Sequence, residues 1–165
     1  MYDKILLPLD GSELAEMALP YARELADKFG SELIVMRVLH PLPVVSDFGA
    51  AVYEAAMVAE EKMAEQYILN TKQSLQKAGY LVQALTVQDL NVAEAILNLA
   101  AQEKVDLVVM STHGRSGLSR WLHGSVATKV LQQARCPVFL VNAQVESARK
   151  TSPEVQMVSS GGIFL

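Results

Sequence analysis

Residues 111–125, STHGRSGLSRWLHGS, join two segments with different hydrophobic patterns. They follow a short apolar run at 105–110, which is typical of a buried strand, and they precede a helical pattern at 126–134. A glycine-rich loop that leads into a helix presents backbone N–H groups and partial positive charge to an anion. Because the loop lacks the lysine of a Walker A motif, the sequence predicts an anion cradle of a different kind.

The alternation of strand and helix continues in both directions from this loop. Apolar runs predict strands at 5–9, 32–39, 80–87, 105–110 and 137–141, and helical patterns predict helices at 12–29, about 50–78, 91–102 and 125–134. Ser12 and Asn91 are predicted helix caps, and Gly30 is a predicted stop. Pro20 is expected to bend the first helix without breaking it. The pattern predicts a single doubly wound α/β domain whose parallel sheet is covered by helices on both faces.

Composition narrows the class of protein. The chain has 165 residues, 51% of them hydrophobic, and a net charge of −4, which gives no basic surface for nucleic acid. It carries no apolar run of membrane-spanning length and no cleavable signal pattern at its start. The single cysteine, Cys136, excludes an internal disulfide and fits a reducing compartment. We therefore expect a soluble, cytoplasmic protein that has no nucleic-acid or membrane partner.

The composition changes after Asn142. Residues 143–165 carry serines, charged side chains, a proline and paired glycines without periodicity. The sequence therefore predicts a globular domain over 1–142 and a flexible C-terminal tail over 143–165.

Three separated motifs resemble the universal stress protein family. The loop has Gly114, then nine residues, then Gly124-Ser125, as in the nucleotide-binding members of that family. The opening stretch KILLPLDGS at 4–12 and the closing stretch CPVFLV at 136–141 also match. The resemblance implies a Rossmann-like or flavodoxin-like fold, with five mainly parallel strands in the order 3-2-1-4-5. It also implies a homodimer that pairs through the strand at 137–141, which would otherwise be an exposed apolar edge.

In this strand order the sheet reverses between strands one and four, where doubly wound folds bind their ligands. The turns after those two strands carry the most polar and glycine-marked segments of the chain. The candidate nucleotide-binding residues are Pro8, Leu9, Asp10, Val38, Met110, Ser111, Gly114, Arg115, Gly124, Ser125 and Val126. Asp10 could accept from a ribose hydroxyl or the adenine amine, or help to hold a metal. Alternatively, Asp10 caps the first helix.

The resemblance assigns the other candidates to the base and the phosphates. Val38 matches the position whose backbone meets adenine, and it could equally be ordinary sheet core. Gly114 and Gly124 would let the backbone approach the phosphates, which Ser125 would bind through its hydroxyl and amide. Arg115 is a candidate phosphate ligand or a solvated charge. Ser111 replaces the first glycine of the family motif and adds a side chain at the pocket.

The resemblance implies an ATP-binding stress-response and signalling module, with ATP held together with Mg²⁺. A signalling protein would be its partner, and no dedicated catalytic residues are assigned. Two alternatives stay open. The fold could support a slow ATPase or a nucleotidyl-transfer enzyme, or the chain could be a dimeric interaction protein that binds no nucleotide.

Overall fold

The computed structural model describes residues 1–40, 49–112 and 124–142. In this part of the chain, strands and helices alternate as the sequence predicts. The strands are β1 (Lys4–Pro8), β2 (Glu32–Leu39), β3 (Val82–Gln88), β4 (Leu107–Ser111) and β5 (Val138–Val141). The helices are α1 (Glu13–Glu16), α2 (Leu19–Phe29), α3 (Ala50–Lys77), α4 (Val92–Gln102) and α5 (Ser125–Gln133). The predicted tail at 143–165 lies outside the described residues.

The strands form one sheet in the order β3-β2-β1-β4-β5, and every neighbouring pair is parallel. This confirms the predicted fold class and strand order. In the centre, Leu6 of β1 lies opposite Ile34 of β2 on one side and Val108 of β4 on the other. Ile5, Leu6 and Leu7 are 0% exposed, so the middle strand is buried on both faces. That burial explains its continuous apolar sequence.

Alternate side chains of the central strands enter two separate cores. Ile5 and Leu7 of β1 belong to a cluster with residues of α1, α2 and α3, whereas Leu6 belongs to a cluster with residues of α4 and α5. Because successive strand residues point to opposite faces, a single apolar strand supplies both layers. The sheet is thus covered on both faces, and its carboxyl edge is left as the place where polar turns gather.

The prediction of one bent helix over 12–29 is wrong, because the structure divides this segment into α1 and α2. Ala18 donates its N–H to the Ala15 carbonyl, which closes a tighter turn than an α-helix has. Pro20 has no N–H to continue the ladder, and its ring crowds the preceding turn. It lies in the first turn of α2, where the missing donor costs nothing.

Helix ends follow the predicted signals closely. Ser12 accepts from the N–H of Ala15, Asn91 accepts from the N–H of Glu94, and Gly30 ends α2 in the left-handed conformation. The strand predicted at 105–110 instead begins at Leu107, because Asp106 turns its carboxylate to the N–H groups of Asp3 and Lys4. Within the ranges that the structure describes, no helix combines the length and apolarity needed to cross a bilayer.

The end of α2 gives a stability test of the left-handed stop. Gly30 has φ 69°, and an added Cβ would meet no atom within 4 Å, so the cost of a side chain is confined to the backbone. We expect Gly30→Ala to lower the free energy of unfolding by about 1–2 kcal/mol in urea denaturation. Gly30→Asn should lose less, since asparagine tolerates this conformation. An alanine variant as stable as the parent would contradict the assignment.

Candidate functional site

A cavity of about 510 Å³ opens at the carboxyl edge of the sheet. It lies where β1, β2 and β4 end, and the first turn of α5 and parts of α3 and α4 complete its walls. The described residues that line it are Pro8, Leu9, Asp10, Ala15, Met36, Arg37, Val38, His40, Glu60, Val92, Ile96, Met110, Ser111, Thr112, Gly124, Ser125, Val126 and Ala127. Every predicted site residue that the structure describes is in this set. The topology therefore brings together residues far apart in sequence.

The turn after β1 carries Asp10 to the cavity wall. One carboxylate oxygen of Asp10 accepts from the Ser12 N–H at 2.9 Å and from the Ser12 hydroxyl at 2.6 Å. The same hydroxyl accepts from the Ala15 N–H at 3.1 Å, which caps α1. Gly11 allows this tight turn because its φ is 81°. The alternative that Asp10 itself caps the helix is wrong: Ser12 is the cap, and Asp10 holds Ser12 in place.

The end of β4 and the start of α5 form the opposite wall. Thr112 donates its N–H to the Val141 carbonyl at 2.9 Å, and the Thr112 carbonyl accepts from the Gly124 N–H at 2.8 Å. These bonds set the first turn of α5 beside the end of β4. Gly124 is the cap residue of α5, and no described side chain caps this helix. The first N–H groups and the positive end of the helix dipole are therefore presented at the cavity.

The rest of the wall is largely apolar. Met36 and Val38 lie at the end of β2, and Val92 and Ile96 face the cavity from α4. Met36 and Ile96 belong to the core cluster on the α4 and α5 face of the sheet. A flat aromatic ring could pack against these side chains, while its polar substituents would reach the turns.

Sequence reasoning missed Arg37, His40 and Glu60 and the α4 residues of the wall. Arg37 is 7% exposed although it carries a charge, and its guanidinium lies 5.6 Å from the centre of the Tyr67 ring. A signal was present, because Arg37 is the one charged residue inside the otherwise apolar end of β2. The contributions from α3 and α4 depend on tertiary packing, which no local pattern reveals.

Tyr67 of α3, the aromatic partner of Arg37, carries a polar group of its own. Its hydroxyl donates to the Glu16 carboxylate at 2.9 Å. Burial raises the pKa of Tyr67, and the hydrogen bond to Glu16 and the negative charges of Glu16 and Asp10 raise it further. The phenol therefore stays protonated and keeps donating to Glu16 through the neutral range.

Two predicted site residues, Gly114 and Arg115, lie outside the described residues, as do the histidines at 113 and 123. The described residues contain no group of three or more histidine, cysteine, aspartate or glutamate side chains placed to hold a metal. Asp10 and Glu60 are the carboxylates that line the described part of the cavity. A cation held by these two carboxylates would need further oxygens, such as those of a ligand or water, to complete its coordination.

Comparison with known proteins identifies relatives across the globular region. A sequence profile of the universal stress protein family matches residues 1–142. The universal stress protein in the QAH/OAS sulfhydrylase 3′ region of Thermus aquaticus is 33% identical over 141 residues, which cover 86% of this chain and 99% of the relative. Universal stress protein MJ0531 of Methanocaldococcus jannaschii is 30% identical over 141 residues, which cover 86% of this chain and 82% of the relative.

Solved structures share the fold. One of them is MJ0577, a protein of the same archaeon whose structure was a test case for assigning biochemical function. It matches with a TM-score of 0.75 and 30% identity, and the match covers 86% of this chain and 96% of the MJ0577 chain. Two more distant universal stress proteins have the same fold, one in complex with cAMP and one from Archaeoglobus fulgidus in complex with dAMP. Each matches with a TM-score of 0.59 over 86% of this chain and 98% of its own. Their sequences are 22% and 20% identical to this one, respectively. The profile match over 1–142 and relatives at 30% identity or more place the chain in one family: it belongs to the universal stress proteins.

Proposed function

We propose that this chain binds an adenine nucleotide, ATP together with Mg²⁺, in the cavity at the carboxyl edge of the sheet. It would act as a nucleotide-dependent stress-response and signalling module. The observation that carries the proposal is the cavity itself, which joins an apolar wall to a helix N-terminus without a described side-chain cap. The nucleotide complexes of two family members with the same fold support it.

Each part of a nucleotide has a matching wall. We assign the base to the apolar surface around Val38, the ribose to Asp10, and the phosphates to the N–H groups of Ser125 and Val126. A helix N-terminus binds phosphate because its N–H groups lack partners within the helix and its dipole favours negative charge. Gly114 and Arg115 would complete the phosphate site, as the family resemblance implies.

The magnesium ion would be held mostly by the nucleotide. Mg²⁺ in nucleotide sites keeps several waters and takes one or two carboxylates together with phosphate oxygens. Asp10 and Glu60 are the carboxylates of the described wall, and Asp10 is assigned to the ribose, so phosphate oxygens and water would supply most of the ligands of the ion. Ser111, which replaces a motif glycine, also lines the cavity, so it adds a hydroxyl beside the ligand and narrows the site.

Binding, without dedicated catalysis, is the activity that these residues support. Rapid phosphoryl transfer needs a positioned metal, a cation on the transferred group and a residue that orients the nucleophile. The described wall offers Asp10, Arg37, His40 and the N-terminus of α5, but the described residues contain no cluster of three metal-binding side chains that would position a metal for such a transfer. Slow hydrolysis of bound ATP is the second candidate activity, since the same cradle would hold the terminal phosphate.

Substitution of Gly124, the N-cap residue of α5, tests the nucleotide proposal. Gly124 caps α5 with φ −50° and ψ 142°, and a branched side chain there would crowd a phosphate at the helix start. We expect Gly124→Val to weaken ATP·Mg²⁺ binding about tenfold or more in calorimetric titration. Gly49→Val is the matched control, because Gly49 caps α3 with nearly the same backbone angles, φ −54° and ψ 149°, and is not among the cavity residues.

The parent chain decides between the candidate functions. Saturable binding that Gly124→Val loses and Gly49→Val keeps supports the nucleotide proposal, and turnover of the bound ATP then tests for slow hydrolysis. If the nucleotide-stripped parent binds no adenine nucleotide, the proposal fails. The chain would then be a nucleotide-free interaction protein of the same family.

We also propose that two copies pair along β5. This strand ends the sheet on the side of β4, and Phe139 at its centre is 39% exposed. An exposed apolar edge strand offers unpaired backbone groups and invites pairing with a second chain. The family resemblance implies the same twofold arrangement.

Sedimentation velocity tests the pairing. We expect the parent to sediment as a dimer at micromolar concentrations, and Phe139→Lys to shift it to the monomer, because a lysine on an edge strand opposes pairing. Leu69→Lys is the control, because Leu69 of α3 is comparably exposed. Helix α3 packs on β2 and β3, near the sheet edge opposite β5. A parent that is monomeric, or a dimer insensitive to Phe139→Lys, would contradict pairing through β5.

A further inference from the structure

Glu60 is a charged residue on the face of α3 that turns toward the sheet. Within the range 52–63, Tyr53, Met57 and Glu60 are partly covered, and the other side chains are exposed. Their spacing of four and then three residues places them on one side of the helix, in line with the buried Ala64. An inward-facing position normally carries an apolar side chain, so a glutamate here indicates a role other than packing.

Two neighbouring pockets locate the Glu60 side chain at the end of β2. It lines the cavity of about 510 Å³, and it also lines a small pocket of about 20 Å³ with residues that include Leu39 and Gln88. Among the described residues, His40 is the other one that lines both spaces. In the described part of the chain, no side chain forms a hydrogen bond or a salt bridge with Glu60. Its carboxylate is therefore an available acceptor at the cavity wall.

The backbone of β2 supports the proposed position of the base at Val38. The Met36 carbonyl accepts from the Leu9 N–H on the β1 side at 2.8 Å. The Leu39 carbonyl accepts from the Asp89 N–H on the β3 side at 3.1 Å. Because backbone groups alternate along a strand, the N–H and carbonyl of Val38 face the β1 side, as those of Met36 do. The pairing of β1 with β2 ends at Met36, so Val38 faces the cavity beyond that pairing.

We infer that Glu60 accepts a hydrogen bond from the exocyclic amino group of the base and thereby makes the cavity prefer adenine to 6-oxopurines such as hypoxanthine. The inference rests on the proposed function, since it concerns the base end of the same cavity. The ribose is assigned to Asp10, and the amino group of adenine lies on the ring farther from the ribose. His40 follows Val38 by two residues, about 7 Å farther along β2. A purine that packs at Val38 spans a comparable distance, so its far edge reaches Glu60.

A carboxylate suits an amino group and opposes a carbonyl. An ionised carboxylate has acceptor oxygens and no donor, whereas the amino group of adenine has two N–H donors. In hypoxanthine an acceptor oxygen replaces the amino group, so two acceptors would face each other. A site that hydrogen-bonds one group rejects an analogue without that group, because a partly buried polar atom of the protein then loses its partner.

A comparison of ATP with ITP tests this role, because the two nucleotides share the ribose and the triphosphate and differ in the base. In calorimetric titrations of the full chain with Mg²⁺, we expect the parent to bind ATP about tenfold or more tightly than ITP. Glu60→Gln should lower this ratio to about threefold or less, since its amide can also donate to the carbonyl of ITP. Its affinity for ITP should rise about threefold or more, a gain that a loss of structure does not produce.

Glu65→Gln is the matched control. Glu65 lies on the same helix, is exposed and lines neither pocket, and its substitution removes the same charge. Weaker repulsion of an anionic ligand raises the affinity for both triphosphates equally, so this variant should keep the parent ratio. Glu60→Ala, which has neither acceptor nor donor, should also lower the ratio, and circular dichroism checks that each variant folds.

Four results would overturn the inference. A parent that binds ATP and ITP equally would remove it and leave the proposed function intact. A parent ratio that persists in Glu60→Gln would mean that other groups, such as the Val38 backbone or His40, recognise the base. An equal loss of affinity for both nucleotides in Glu60→Gln would make Glu60 structural only. A parent that binds neither triphosphate would remove the proposed function and this inference together.

Discussion

The structure depends on the burial of β1 between two parallel neighbours. Because β2 and β4 run in the same direction as β1, all three strands end at the same edge of the sheet. The middle of β1 is fully buried on both faces, so it has no room for polar side chains, which must come from the turns that follow. A parallel sheet covered by helices on both sides leaves its carboxyl edge as the natural place for a ligand.

A helix N-terminus and charged side chains both lie at that edge of the sheet. On the β4 side, the N-terminus of α5 presents backbone donors, and its position is set by the pairing of Thr112 with Val141 and Gly124. At the ends of β1 and β2, the charges are carried by side chains: Asp10, after β1, accepts from Ser12, and Arg37 of β2 lies over Tyr67. One end of the cavity thus suits an anion, and the other suits hydroxyl or amine donors. The nucleotide that we propose as the ligand carries both kinds of group.

The fold class and strand positions could be predicted from the sequence, because the local signals for strands, caps and helix ends agree with one another. Apolar runs define the strands, and Ser12, Asn91 and Gly30 act as predicted. The prediction of one bent helix at Pro20 was wrong because a proline can either bend a helix or begin a new one. The tighter turn at Ala18 determines that a new helix begins here. Arg37 was missed because the apolar pattern of β2 classifies the whole strand as core. The walls from α3 and α4 come from packing between distant segments, so only the structure could identify them.

The most direct test of the account is to map a nucleotide onto the chain by amide chemical shifts. Titration of the ¹⁵N-labelled protein with ATP·Mg²⁺ should move the amides of Asp10, Val38, Ser125 and Val126 most. The amides of Val82 and Leu131, which do not line the cavity, should stay in place. Shifts concentrated at the cavity in a saturable titration are the result that the account predicts. Saturable shifts centred elsewhere, or none at millimolar nucleotide, would contradict it.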